Sequence, residues 1–167
     1  MSHEPGRDGA IARASRYFDD GTFQSDLAAW VAYPTESQIP DAAPELRRYL
    51  QEVIQPRLAA SGFTCEIFDN PDPSGGPLLL GERIEDPALT TILTYGHGDV
   101  IRAQTEQWRE GLAPFELVEE GERLYGRGTA DNKGQHLINI AALEAVLAER
   151  GRLGFNVKIV VEMSEET

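Results

Sequence analysis

Two consecutive stretches decide the fold class: Asn132-Lys133-Gly134-Gln135-His136-Leu137-Ile138-Asn139-Ile140-Ala141-Ala142-Leu143-Glu144-Ala145-Val146-Leu147-Ala148-Glu149, and shortly after it Phe155-Asn156-Val157-Lys158-Ile159-Val160-Val161. In the first, Leu137, Ile140, Ala141, Leu143, Val146 and Leu147 recur at helical spacing, and Gly151 closes the segment. The second is a short apolar run and reads as a buried strand. A helix feeding straight into such a strand is the repeating unit of a layered α/β domain.

Working outward, Thr64–Phe68, Leu78–Gly81 and Thr90–Tyr95 are further strand candidates, separated by turns such as Asn70-Pro71 and Ser74-Gly75-Gly76. Phe115–Val118 and Arg123–Tyr125 flank the acidic turn Glu119-Glu120-Gly121-Glu122, the pattern of a hairpin. Residues 8–32 carry apolar positions at helical spacing with Gly21 as a break, which predicts two short helices. Residues 44–61 predict a third, kinked at Pro56 and closed by Gly62. The chain therefore divides into a mainly helical lead-in, 1–62, and a part with strands and a helix, 63–167. The expected architecture is an α/β layered domain with a largely parallel or mixed sheet flanked by helices, in which Phe155–Val161 lies exposed as an apolar edge.

With 167 residues, 41% of them hydrophobic, the chain has the size and core-forming capacity of one domain. A net charge of -13 argues against nucleic acid and anionic membrane surfaces as partners. The single cysteine, Cys65, makes neither an intrachain disulfide nor a thiolate metal cluster. The N-terminal MSHEPGRDGAIARAS lacks the apolar core of a signal peptide, and His3 sits in this polar leader. No apolar run approaches the ~18 residues of a membrane span. The expectation is a cytoplasmic protein.

Three clusters carry chemistry. Gly96-His97-Gly98-Asp99 follows a strand candidate, at the sheet edge where open α/β folds bind ligands. His97 reads either as a structural histidine or as a metal ligand oriented by Asp99. In Gly126-Arg127-Gly128-Thr129-Ala130-Asp131-Asn132-Lys133-Gly134, Asp131 stands at the N-cap position of the helix. It is either a plain cap or a carboxylate bridging two cations, and the crowd of glycines suggests close backbone approach to a site. Glu162-Met163-Ser164-Glu165-Glu166 ends the last strand; the glutamates are either a solvated face or a division of labour in which one holds a metal and the other moves a proton.

The strings GHGDV, QWREGLAPF, LYGRGTADNKG and EMSEE, in this order between Thr91 and Thr167, resemble the dinuclear zinc metallopeptidase and amidohydrolase family of acetylornithine deacetylase, succinyl-diaminopimelate desuccinylase, aminoacylase-1, carnosinase and glutamate carboxypeptidase. The resemblance implies a zinc-peptidase-like catalytic domain, here incomplete and without its lid domain. It implies two divalent ions, zinc or else cobalt or manganese, with His97 and Glu166 each on one ion and Asp131 bridging both. Glu165 becomes the general base and Asp99 the residue that orients His97. The implied reaction is hydrolysis of an N-acyl amino acid or short peptide by a metal-activated water, and the implied full-length form is a homodimer through the lid domain. Trp108, Pro114 and Phe115 read as packing at the site wall, Lys133 and Arg127 as structural charge partners, and His136 has no implied metal role. Two other readings stay open: a catalytically inactive truncation product, and a small acidic domain that holds a cation without hydrolysis.

Overall fold

The computed structural model describes residues 6–167, so His3 lies outside the described residues. Helices α1 (Arg7–Asp19) and α2 (Thr22–Val31) break at Gly21, as the sequence predicts. The next helical rod contains α3 (Ala43–Tyr49) and α4 (Gln55–Ala60), joined by a π-helical turn over Leu50–Ile54. Instead of a kink at Pro56, the chain widens one turn before it. The Gln55 N–H reaches back to Leu50 O, and Pro56, with no N–H of its own, starts the next helix. Tyr49, Leu50, Ile54 and Leu58 stay fully buried along the rod. It ends with Phe63 N–H on Leu58 O and Gly62 N–H on Ala59 O, a closed C-terminal motif.

The remaining elements are β1 (Thr64–Phe68), β2 (Leu78–Arg83), β3 (Thr91–His97), β4 (Val118–Glu120), β5 (Arg123–Tyr125), α5 (Lys133–Arg150) and β6 (Asn156–Glu162). Four strands form one sheet in the order β1-β2-β6-β3. The β1–β2 and β2–β6 pairs are antiparallel and β6–β3 is parallel, so the sheet is mixed. The hairpin is present, but its first strand is Val118–Glu120 rather than Phe115–Val118. A two-residue turn at Gly121-Glu122 leaves both preceding glutamates free to pair, while Pro114 and Phe115 lie in a separate turn bridged by Ala113 and Glu116.

One face of the sheet, with Leu79, Val157, Ile159 and Val161, is buried in a core shared with Leu27, Trp30, Leu58, Leu137 and Ile140 from the helices. Here the structure corrects the expected exposed edge. Segment β6 is paired on both sides, whereas β1 and β3 are the edges, with Leu93 and Tyr95 of β3 exposed. Arg57, only 16% exposed, ties the helices together through Asp26 at 2.6 Å and Glu144 at 2.8 Å. The described residues contain no helix long and apolar enough to cross a membrane.

Candidate metal centre

Strands β3 and β6 run parallel and finish together, His97 opposite Glu162. The loops that leave them, Gly98-Asp99 and Met163 to Glu166, therefore enter the same corner, and the Gly98 N–H donates to Glu162 O at 2.9 Å. Only glycine fits at 98: a Cβ there would lie 2.5 Å from the Tyr49 ring and 2.8 Å from the Met163 sulfur. Thr35 closes the loop from the other side, its hydroxyl donating to Gly98 O at 2.6 Å.

His97 is buried, with Nδ1 3.3 Å from Asp99 Oδ1 and Nε2 3.0 Å from Asp131 Oδ1. Burial alone would lower its pKa, but the hydrogen bond and charge of Asp99, joined by Asp131, outweigh it and raise the imidazole to about 9. Asp99 is fully buried, and besides His97 it accepts the backbone N–H groups of Glu165 at 3.3 Å and Glu166 at 3.0 Å. Burial pushes this carboxyl upward, yet the contacts with His97, Ser37 and the Glu166 N–H hold it below the usual carboxylate range.

Asp131 was expected to cap α5. The cap residue is instead Asn132, one position later, and Asp131 leaves its carboxylate exposed and turned to His97. One ligand atom each from His97, Asp131 and Glu166 lie within 4.8 Å of one another. The Glu166 carboxyl is raised in pKa, by burial first and then by the charge of Asp131. Glu165, about half exposed, approaches His97 Nε2 to 3.8 Å.

The glycines of the 126–134 loop do not face this centre. A side chain at Gly134 would collide with Thr129 O, and those at Gly126 and Gly128 would crowd Val31 and Lys133. Lys133 and Arg127 make no direct salt bridge among the described residues, although Lys133 feels the charge of Asp99. The buried Lys133 ammonium donates to Trp30 O at 3.1 Å and Tyr33 O at 2.7 Å, and burial lowers its pKa to about 7. Arg127 donates to Arg102 O and Ala103 O and lies over the Trp108 ring, 5.4 Å from its centroid. Trp108 thus packs under Arg127, and its indole N–H donates to Ala103 O at 2.8 Å. Sequence reading passed over Tyr49 as one more apolar helix residue, and gave no part to Thr35 or Asn132. Only the glycines at 96 and 98 hinted that something must lie close to this loop.

The model of peptidase family M20/M25/M40 matches residues 93–167, the span that carries His97, Asp99, Asp131, Glu165 and Glu166. These residues are similar in sequence to that family. Over 95% of its length the chain is 32% identical to the Beta-Ala-His dipeptidase of Mus musculus, covering 34% of that protein. It is 32% identical to the succinyl-diaminopimelate desuccinylase of Delftia acidovorans over 77% of its length, covering 33% of it. Among solved structures, the dipeptidase Dug1p of Saccharomyces cerevisiae superposes on the whole chain with a TM-score of 0.83 at 26% identity, 36% of that protein being covered. The chain thus spans about a third of the length of the M20 proteins it matches. The mixed sheet flanked by helices is the architecture of the corresponding part of their catalytic domains.

Proposed function

We propose that the protein is a metal-dependent hydrolase that cleaves an amide bond in a short peptide or an N-acyl amino acid. One observation carries this reading: His97, Asp131 and Glu166, brought from three separate segments, present ligand atoms within 4.8 Å of one another. An imidazole nitrogen with two carboxylates suits zinc, and equally cobalt or manganese. Ligand bonds of about 2.0–2.2 Å require these side chains to close only slightly around an ion. Asp131, with one oxygen toward His97 and its carboxylate largely exposed, has an oxygen to offer a second ion.

Ions held there by His97, Asp131 and Glu166 would supply Lewis-acid charge and lower the pKa of water at the site. The protein's own groups divide the remaining work. Asp99 holds the imidazole of His97 through Nδ1, leaving Nε2 directed at the ligand cluster. A Glu165 carboxylate oxygen takes the proton of the attacking water and returns it to the leaving amine nitrogen. Dipeptides are the favoured substrate class, because both the mouse relative and the yeast structure are named dipeptidases. Residues 1–167 on their own offer a single three-ligand group among the described residues, too few for two catalytic ions, so we infer weak binding and no turnover from this stretch alone.

The test is a pair of substitutions in the intact enzyme, assayed for metal content and for hydrolysis of a dipeptide panel. Glu165→Gln should abolish turnover and keep the metal, since the amide keeps the shape but accepts no proton. Glu166→Gln should lose metal. The reverse pattern would overturn the assignment.

A further inference from the structure

Asn132 caps α5 without using its side chain as a cap. Its amide oxygen instead lies 3.3 Å from the backbone N–H of His97, on the edge strand, and 3.3 Å from Nδ1 of His136. A backbone N–H can only donate, so the atom it meets is the acceptor, and His136 Nδ1 must carry the second proton that this oxygen receives. His136 is buried against the face of Trp30, with ring centroids 5.3 Å apart, and stays neutral. Its Nε2 is then bare and accepts the Tyr49 hydroxyl at 2.6 Å. The network thus assigns the proton positions along the chain from Tyr49 to His136 to Asn132.

Each member also touches the strand end that carries His97. A Cβ at Gly96 would lie 3.0 Å from both Asn132 Oδ1 and His136 Cβ, and the Tyr49 ring fills the space a side chain at Gly98 would need. Asn132 is covalently next to Asp131. It therefore ties the backbone of one candidate ligand to the neighbour of another, and His136 with Tyr49 keeps its amide from turning.

We propose that His136, held by Tyr49, is a positioning residue for metal binding, which fixes the spacing of His97 and Asp131 through Asn132. This rests on the metal reading of the site given above. Outer partners of metal ligands commonly account for about 10- to 100-fold in affinity, which sets the expected size.

The test compares wild type, His136→Phe and His136→Asn in the intact protein by chelator-competition zinc affinity, thermal unfolding and long-range 1H–15N spectra of the histidine rings. Phe refills the core but donates nothing. Asn leaves a hole but places an N–H where Nδ1 stood. A positioning role predicts a zinc affinity about 10- to 100-fold weaker in His136→Phe and near wild type in His136→Asn, even if Asn melts lower. A role in packing alone predicts affinity that follows stability, with Asn the worse variant, and that order would overturn the proposal. The spectra give an independent arm: His136 should be the Nδ1–H tautomer in wild type without metal, and finding Nε2–H would sink the hydrogen-bond chain whatever zinc does. Wild-type protein that binds no zinc while His136 shows the expected tautomer would bring down the metal reading, and the positioning role with it, but leave the hydrogen-bond chain standing.

Discussion

The backbone N–H of Glu166 donates to Asp99 Oδ2 at 3.0 Å, so a carboxylate in the loop after β3 holds the loop that follows β6. The same carboxylate faces His97 Nδ1 at 3.3 Å and receives the Glu165 N–H at 3.3 Å. One fully buried side chain thus aligns an imidazole with two glutamates. Asp99→Asn keeps the volume but puts an amide NH2 against donors. We expect a loss of about 2–4 kcal/mol in urea unfolding, together with weaker zinc binding. Wild-type stability in this variant would show that Asp99 is not the hub.

Gly98→Ala tests the packing beneath that loop. Its methyl would meet the Tyr49 ring at 2.5 Å, and Tyr49 is fully buried and cannot swing away. The expected cost is about 1–3 kcal/mol, read as a lower Tm. An unchanged Tm would mean that the rod carrying Tyr49 yields more easily than its burial implies.

Two histidines should make the metal-free protein sensitive to pH in opposite windows. Burial, then the charges of Lys133 and His97, lower the pKa of His136 to about 3. Below its ordinary 6.5 the unfolded chain takes up the proton first, so this contribution is full above 6.5 and is lost as pH falls toward about 3. His97, raised to about 9, contributes stability that is full below 6.5 and lost as pH rises through about 9. Above 6.5 Lys133, lowered to about 7 by burial, works against the His97 loss, so the net expectation is confined to the acid side: urea midpoints should fall from pH 6.5 to 4. His136→Asn should flatten the acid limb; an unaltered acid limb would contradict the assignment to His136.

Leu93 is 66% exposed on edge strand β3, with Tyr95 beside it on the same side. Edge strands of this kind pair with other chains unless blunted by charge. Leu93→Lys should reduce self-association of the 167-residue chain in light scattering, while moving unfolding stability by no more than about 0.5 kcal/mol. Equal association in both forms would place the sticky surface elsewhere.

How much of this was legible in the sequence follows from the range of the forces involved. Helical periodicity is local, and α1, α2 and α5 stand where it puts them. Strand β1 coincides with the predicted Thr64–Phe68, because flanking turns bound it on both sides. The hairpin moved by a few residues, since turn geometry at Gly121 rather than hydrophobicity sets its register. The five candidate site residues could be picked out because a motif constrains residue types at fixed positions.

Their mutual arrangement was not. His97, Asp131 and Glu166 are 34 and 35 residues apart in sequence, and only the parallel pairing of β3 with β6, with α5 crossing between them, closes those gaps to a few ångströms. The partnership of Tyr49 with His136 spans 87 residues. Nothing local distinguishes such a tyrosine from one that merely fills a core; burial, which denies its hydroxyl any water, is what obliges it to find a partner. The sequence determined which groups could do chemistry, and the tertiary structure decided which of them meet.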